Sequence, residues 1–466
     1  MKYKIVLVII IVGVLFSACQ NETIIDPFEV KGDIEIWQSI DDTREPVKLN
    51  LMIDSLKPIY DDYDLVISSR DGFSVKLAGD SLFGTTIEYA PTSGWMFTSD
   101  HHPVNSRVKW ISEVVVVKKP DSEANFTSGI NFIHENKNNH WSLGQLLSMN
   151  YSMRYHLDGT TEQEGNAIDV MKKVKYFSLN SFIDEDYQWL LVMDASGAHH
   201  YISKSNYAIE LQNRRLDLRN DQGEVIEDIV GIIVNPPRNT VMDNYYDAMN
   251  YIEKDIPVMT VFLDGFSFDQ WQYMKEEYPK LYMSNLDFMK ATTVFKPVTN
   301  AGFAAMVSGR VPADTGIMDR SVRRPECKTI YDNVNDGILV DGLVKILDIP
   351  CQLYLENDDN QDGYTDSETF TQGMKVLGGE YILIHFNGID DAGHDYGPFG
   401  EETITKMIEV DYYVEELVSN WYGKVIILAD HGMHKTDEGG DHGEFRVEDM
   451  MVPYILINGG QYEQTN

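Results

Sequence analysis

A chain of 466 residues is long enough for two or three domains, each with its own hydrophobic core. Its 74 acidic side chains against 38 basic ones leave a net charge of −36. That balance argues against a nucleic-acid backbone as habitual partner, because phosphate binding of that kind needs clustered Lys and Arg. A small phosphorylated ligand is not excluded, since bound divalent cations reverse the local field.

At the N-terminus Lys2 and Lys4 precede an apolar run over residues 5–15, which closes on Phe16-Ser17-Ala18-Cys19. The run is shorter than the roughly 20 residues a spanning helix requires. Small residues just before a Cys resemble the lipobox of bacterial lipoproteins, in which that Cys becomes the lipidated first residue. The pattern predicts a signal peptide over 1–18, lipidation of Cys19 and a polar tether over 19–30. It implies a bacterial cell-envelope location with membrane contact through the lipid anchor only. An ordinary signal peptide or an uncleaved anchor is the alternative. Cys327 and Cys351 remain, at a spacing that fits no zinc knuckle or redox motif, and a disulfide between them stays open.

Residues 31–237 read mainly as strands, with β-branched or alternating runs at 63–68, 113–117 and 189–193. A faint echo runs through them. Leu65-Val66-Ile67 leads to Asp71-Gly72 and then to a run at 111–117 before Pro120. Leu190-Leu191-Val192 leads to Ser196-Gly197 and then to a run at 226–234 before Pro236-Pro237. Two copies of one β-rich module follow as the expectation, over 31–120 and 121–240. The pairs His101-His102 and His199-His200 have no carboxylate nearby in sequence at ligand spacing and read as surface or turn histidines.

After a helical linker over 243–253 the pattern changes. Apolar strand-like runs at 258–263, 381–386, 424–429 and 452–457 alternate with helical patterns at 267–277, 302–308, 341–347 and 401–419. Such alternation predicts an α/β domain over 250–466, a mostly parallel sheet with helices on both faces. Ligands of open α/β sheets lie at the carboxyl ends of the strands. Asp264, Asp430 and His431 occupy those ends, and Asp390 follows the run 381–386 by a few residues.

The residue types at these ends are metal ligands. Asp264 precedes Gly265, and Asp430-His431 precedes Gly432, so each carboxylate stands where the backbone turns tightly. Asp390 and His394 are four residues apart, a spacing that lets both reach one ion from a single loop or helical turn. His442, in a Gly-rich loop, would complete a second site. Mixed nitrogen and oxygen ligation suits zinc, with manganese or iron as alternatives. Thr299 follows a strand-like stretch at 293–298 and opens a helix, where free backbone N–H groups favour a phosphoryl oxygen. Alone it would be an N-cap; beside four metal-ligand segments it reads as an activated nucleophile.

Residues from about 257 to 460 resemble the alkaline phosphatase superfamily, in particular its type I phosphodiesterase/nucleotide pyrophosphatase branch and relatives that handle phosphoethanolamine. The segments that carry the resemblance are Thr299-Asn300-Ala301-Gly302 through Gly309, Asp390-x-x-Gly393-His394, Asp430-His431-Gly432-Met433 and Gly440-x-His442-Gly443. The resemblance implies two divalent cations, one held by Asp264, Thr299, Asp430 and His431, the other by Asp390, His394 and His442. It implies in-line attack by Thr299 on a small phosphorylated substrate, a phospho-threonine intermediate, and its hydrolysis. Phosphodiesters or nucleotide pyrophosphates are the expected substrates, with phosphomonoester hydrolysis or phosphoethanolamine-type transfer as alternatives. A binding lipoprotein that recognises its ligand through the N-terminal half is the rival of another class.

Where diesterases of that branch carry Asn, three residues after the Gly316-Ile317 pair, this chain has Arg320. That residue either contacts a phosphate oxygen or lies on the surface. Asn300 is a further candidate phosphate contact. Cys327 lacks the sequence context that sulfatases need. Asp358, Asn360, Asp362 and Asp366 resemble the first nine positions of an EF-hand loop, with Thr369 where Glu closes it. A structural calcium ion and a solvated acidic loop are both open there. His385 and His434 read as structural.

Overall fold

The computed structural model describes residues 25–42, 45–149, 151–163, 166–183, 186–203 and 206–463. Cys19 and the segment 1–18 lie outside the described residues. Among the described residues no helix is long and apolar enough to cross a membrane.

Two compact units emerge. One takes the described residues up to Ala124 together with Ser142–Met149; the other takes Asn125–Trp141 and the described residues from 151 onward. The first is built on a five-stranded sheet in the order Gln38–Ile40, Phe28–Gly32, Ile111–Lys118, Tyr63–Ser69, Ser74–Ala78. Phe28–Gly32 starts inside the stretch read as tether, because Phe28 and Val30 alternate into the core. It pairs parallel with Ile111–Lys118; the other pairs are antiparallel. The buried Asp33 carboxylate accepts hydrogen bonds from Lys118 N at 2.7 Å, Ser142 Oγ at 2.7 Å and Gly144 N at 2.8 Å. Those bonds tie the helix Leu143–Ser148 to this unit.

Within the second unit a sheet runs in the order Lys137–Trp141, Ile130–His134, Ile229–Val234, Trp189–Asp194, His199–Ser203. Strand order and sense repeat those of the first unit, again with one parallel pair, here Ile229–Val234 with Ile130–His134. At the edge, His200 Nε2 lies 2.9 Å from Asp194 Oδ2, a bond between residues that the sequence spacing left unpaired. The neighbouring His199 has both ring nitrogens shielded and without a hydrogen-bond partner. Burial, with His200 beside it, pushes its pKa from 6.5 down to about 4. A histidine held neutral in the native state contributes stability in full above its unfolded pKa, and that contribution is lost as pH falls from about 6.5 towards 4. Denaturant melts across that window should therefore show a shallower acid loss for His199→Leu than for the unsubstituted chain.

The α/β part of this unit has an eight-stranded sheet. Its order is Asn239–Thr240, Met289–Thr292, Met451–Asn458, Lys424–Leu428, Val258–Leu263, Tyr381–Phe386, Gly337–Gly342, Gln352–Glu356. The five strands from Lys424–Leu428 to Gln352–Glu356 are parallel, and Met451–Asn458 runs antiparallel to its neighbours. Val258–Leu263 and Tyr381–Phe386 are buried along their whole length, as continuous apolar runs covered on both faces should be. The helices Phe268–Glu277, Thr299–Ser308, Gly388–Tyr396 and Glu401–Asn420 join these strands.

Two expectations are corrected. The helix predicted over 341–347 is absent: Ile338-Leu339-Val340 is a short buried run whose backbone pairs on both sides, so the strand Gly337–Gly342 continues through Asp341. The stretch 293–298 is irregular and the strand stops at Thr292, before Pro297, which has no N–H to give a ladder. The helix opens at Thr299 itself, with Val298 as its N-cap. Cys327 and Cys351 are free thiols.

Candidate metal centre

Three adjacent parallel strands, Lys424–Leu428, Val258–Leu263 and Tyr381–Phe386, end on one edge of the sheet. Asp264 follows the second directly, and Asp430-His431 follows the first after Ala429. Asp390 and His394 sit one turn apart on the helix Gly388–Tyr396, whose first turn follows the third strand. Close backbone approach is required here. Gly265 has φ +68°, and a Cβ on it would stand 2.6 Å from Asp390 Oδ1. A Cβ on Gly302 would stand 2.7 Å from Asp430 Cβ, so the helix Thr299–Ser308 can approach the strand end only with Gly at that position.

The ligand atoms converge in two overlapping groups. Asp264, Asp430 and His431 bring one atom each within 4.8 Å of one another, as do Asp390, His431 and His442. Asp264, Asp430 and His431 are buried, at 3%, 0% and 0% exposure. Thr299 Oγ1 lies 3.3 Å from His431 Nε2 and 3.5 Å from Asp264 Oδ1. His394 stands at the edge, half-exposed, with Nε2 3.4 Å from Asp390 Oδ2. His442 Nε2 is 3.8 Å from Asp390 Oδ1, and its ring stacks on His431 at 3.9 Å between centroids.

All three imidazoles are oriented the same way. His431 Nδ1–H donates to Gly432 O at 2.9 Å, His394 Nδ1–H to Gly440 O at 3.1 Å and His442 Nδ1–H to Pro297 O at 3.2 Å. A carbonyl can only accept, so Nδ1 carries the proton and each Nε2 turns towards the carboxylates. This is how metal-binding histidines are held.

The charge balance fits a cation. Burial and the neighbouring Asp264 push the Asp430 carboxyl well above the usual carboxylate range. Burial opposes an imidazolium at His431, yet Asp430, Asp264 and Asp390 hold its pKa up to about 9. For His394 the hydrogen bond to Asp390 raises it to about 9. Asp430 Oδ2 and Asp390 Oδ1 are buried and make no hydrogen bond. Buried carboxylate oxygens without a hydrogen bond, facing aligned Nε2 atoms, are chemically suited to hold a divalent cation.

Asn300 Nδ2 donates to Ile346 O at 3.3 Å. Arg320 is exposed. The Lys296 ammonium lies 4.0 Å from where a Cβ on Gly443, next to His442, would stand. No sequence motif marked Lys296. In the acidic loop Asp358 accepts from Asp362 N and Gly363 N, and Asp362 accepts from Tyr364 N. Asp366 turns instead to the N–H groups of Asn387 and Gly388, each at 3.1 Å. Among the described residues these four side chains do not form a converging ligand group. His434 Nδ1 lies 2.8 Å from Asp449 Oδ1 in a buried pair. His385, read as structural, lies directly behind Asp264.

A family model, type I phosphodiesterase / nucleotide pyrophosphatase, matches residues 354–455, which include Asp390, His394, Asp430, His431 and His442. Among curated proteins, GPI ethanolamine phosphate transferase 1 of Aspergillus oryzae is 30% identical over 86 residues, 17% of this chain and 8% of that protein. The catalytic subunit of human GPI ethanolamine phosphate transferase 3 is 27% identical over 77 residues, 16% of this chain and 7% of that protein. The chain thus spans less than a tenth of these relatives. Among solved structures, murine ectonucleotide pyrophosphatase/phosphodiesterase 5 aligns with TM-score 0.31 at 19% identity, over 39% of this chain and 58% of the other. Phosphonoacetate hydrolase from Sinorhizobium meliloti 1021 aligns with TM-score 0.31 at 15% identity, over 40% and 59%. What the comparisons show is thus a match of residues 354–455, with the ligand-bearing strand ends among them, to the type I phosphodiesterase / nucleotide pyrophosphatase family model.

Proposed function

We propose that the chain is a phosphoester-cleaving enzyme that uses Thr299 as nucleophile and two divalent cations, zinc by the donor set, on phosphodiester or pyrophosphate substrates. The observation that carries this reading is the shared orientation of His394, His431 and His442, with each Nε2 turned to Asp264, Asp390 or Asp430 beside the Thr299 hydroxyl. Asp264, Thr299, Asp430 and His431 would hold one cation, and Asp390, His394 and His442 the other. When bound, such cations withdraw charge from the phosphoryl oxygens and make a nearby hydroxyl more acidic.

The chain's own residues do the rest. Thr299 is the first residue of its helix, so the N–H groups of Asn300 and Ala301 belong to the first turn and have no partner within the helix. They can receive a phosphoryl oxygen there. Thr299 Oγ1 attacks phosphorus, the opposite ester oxygen leaves, and the phosphothreonine passes its group to water or to an alcohol. The similarity to phosphoethanolamine transferases favours a second reading, in which the alcohol wins.

Product analysis decides between them. With bis-p-nitrophenyl phosphate and a primary alcohol, hydrolysis predicts p-nitrophenyl phosphate as the product at every alcohol concentration. An alkyl p-nitrophenyl diester that dominates as the alcohol rises would establish transfer. No cation-stimulated release of p-nitrophenolate from diester or monoester would overturn both. The lipid anchor at Cys19 and the envelope location belong to the same proposal, tested by radiolabelled fatty-acid incorporation in the chain and its absence in Cys19→Ala.

A further inference from the structure

Behind the candidate cation site lie two polar side chains with no part in the chemistry proposed above. His385 and Asp341 are both 0% exposed, inside strands that are otherwise apolar. His385 Nδ1 is 2.8 Å from Asp341 Oδ1, and its Nε2 is 3.0 Å from Asp264 Oδ2. The ring lies flat on Phe262, centroids 3.9 Å apart and planes 3° from parallel. Strand register produces the line: Phe262 pairs with His385, and Val340 with Ile384, in three adjacent parallel strands. Asp341 therefore stands level with His385, and Asp264, two residues beyond Phe262, lies on the same face one step further along its strand.

Asp264 has two oxygens with different surroundings. Oδ2 meets His385, while Oδ1 faces His431 Nε2 at 3.4 Å and Thr299 Oγ1 at 3.5 Å. The terminal torsion of an aspartate is soft and roughly two-fold, so nothing intrinsic to the residue fixes which oxygen points forward. We propose that His385, itself held by Asp341 and Phe262, is a positioning residue that fixes the carboxylate of Asp264 so that Oδ1 is presented to the cation and to Thr299. Partners behind a ligand set its orientation, and their loss typically weakens metal affinity by about 10–100-fold. This rests on the reading of the cluster as a cation site.

The test is calorimetric titration of Zn²⁺ into the full chain after chelator treatment, for the unsubstituted protein, His385→Leu, His385→Gln and Asp341→Asn, with melting curves to establish folding. His385→Leu should weaken one of two binding events by about 10–100-fold and leave the other unchanged. At saturating Zn²⁺ it should lower kcat for bis-p-nitrophenyl phosphate with little change in KM. His385→Gln keeps an N–H for Asp264 and should recover part of the affinity, a rescue that a space-filling role would not give. Folded His385→Leu protein with both affinities unchanged would overturn the inference. Should that variant fail to fold, unchanged affinities in both His385→Gln and Asp341→Asn would overturn it equally. An unsubstituted chain that binds no Zn²⁺ would overturn the cation site itself, and the positioning role with it.

Discussion

Replacing Thr299 by Ala is expected to lower phosphoester turnover by on the order of 10⁴-fold or more, with little effect on folding. Loss of a nucleophile from residues that act as a unit costs up to about 10⁶-fold in kcat. Thr299 stands where that loss would be felt, 3.3 Å from His431 Nε2 at the first position of a helix. Ala is the best helix former, so the helix Thr299–Ser308 should persist and the melting temperature should change little. Initial rates on bis-p-nitrophenyl phosphate, measured beside melting curves, check both halves. Thr299→Ser keeps a hydroxyl and should retain a measurable part of the rate. A Thr299→Ala protein with a tenth of the original rate would remove the residue from a covalent role.

The second large effect concerns the cations. Chelation should reduce turnover by at least about 100-fold, with recovery on adding Zn²⁺ or Mn²⁺. Asp430→Asn should not recover at matched cation concentration. Stability should move the other way. Asp430 is fully buried with no hydrogen bond to Oδ2, and Asp264 lies beside it, so without a cation the carboxyl is a burden on the fold. Chelated Asp430→Asn should thus melt no lower than chelated unsubstituted protein. With cation present the order should reverse, since a ligand at 100 times its Kd stabilises the native state by about 2.7 kcal/mol. Melting curves with and without Zn²⁺ give the four values needed. Equal metal-induced shifts in the two proteins would take Asp430 out of the ligand set.

How much of this was legible in the sequence follows from the range of the interactions involved. The apolar runs that became Val258–Leu263, Tyr381–Phe386 and Lys424–Leu428 were readable because strands buried on both faces leave a continuous hydrophobic signature. The polar residues that follow them stood out against it. Gly337–Gly342 was missed because six residues ending in Asp-Gly fit a helix start as well as a strand end, and only pairing on both sides decides. His385 carried a signal that went unused: a histidine inside the run Tyr-Ile-Leu-Ile-His-Phe must find a partner when buried. That partner, Asp341, is 44 residues away in sequence and is brought close only by register. Lys296 left no motif, since its place beside Gly443 depends on how two loops fold together.

The most direct test of the central claim is to quench the Zn²⁺-loaded chain in acid during turnover of bis-p-nitrophenyl phosphate and weigh its peptides. Covalent use of Thr299 predicts a p-nitrophenyl phosphoryl group on the peptide that contains it, and none in Thr299→Ala. Turnover at full rate with that peptide unmodified at every quench time, or with the group on another side chain, would contradict it.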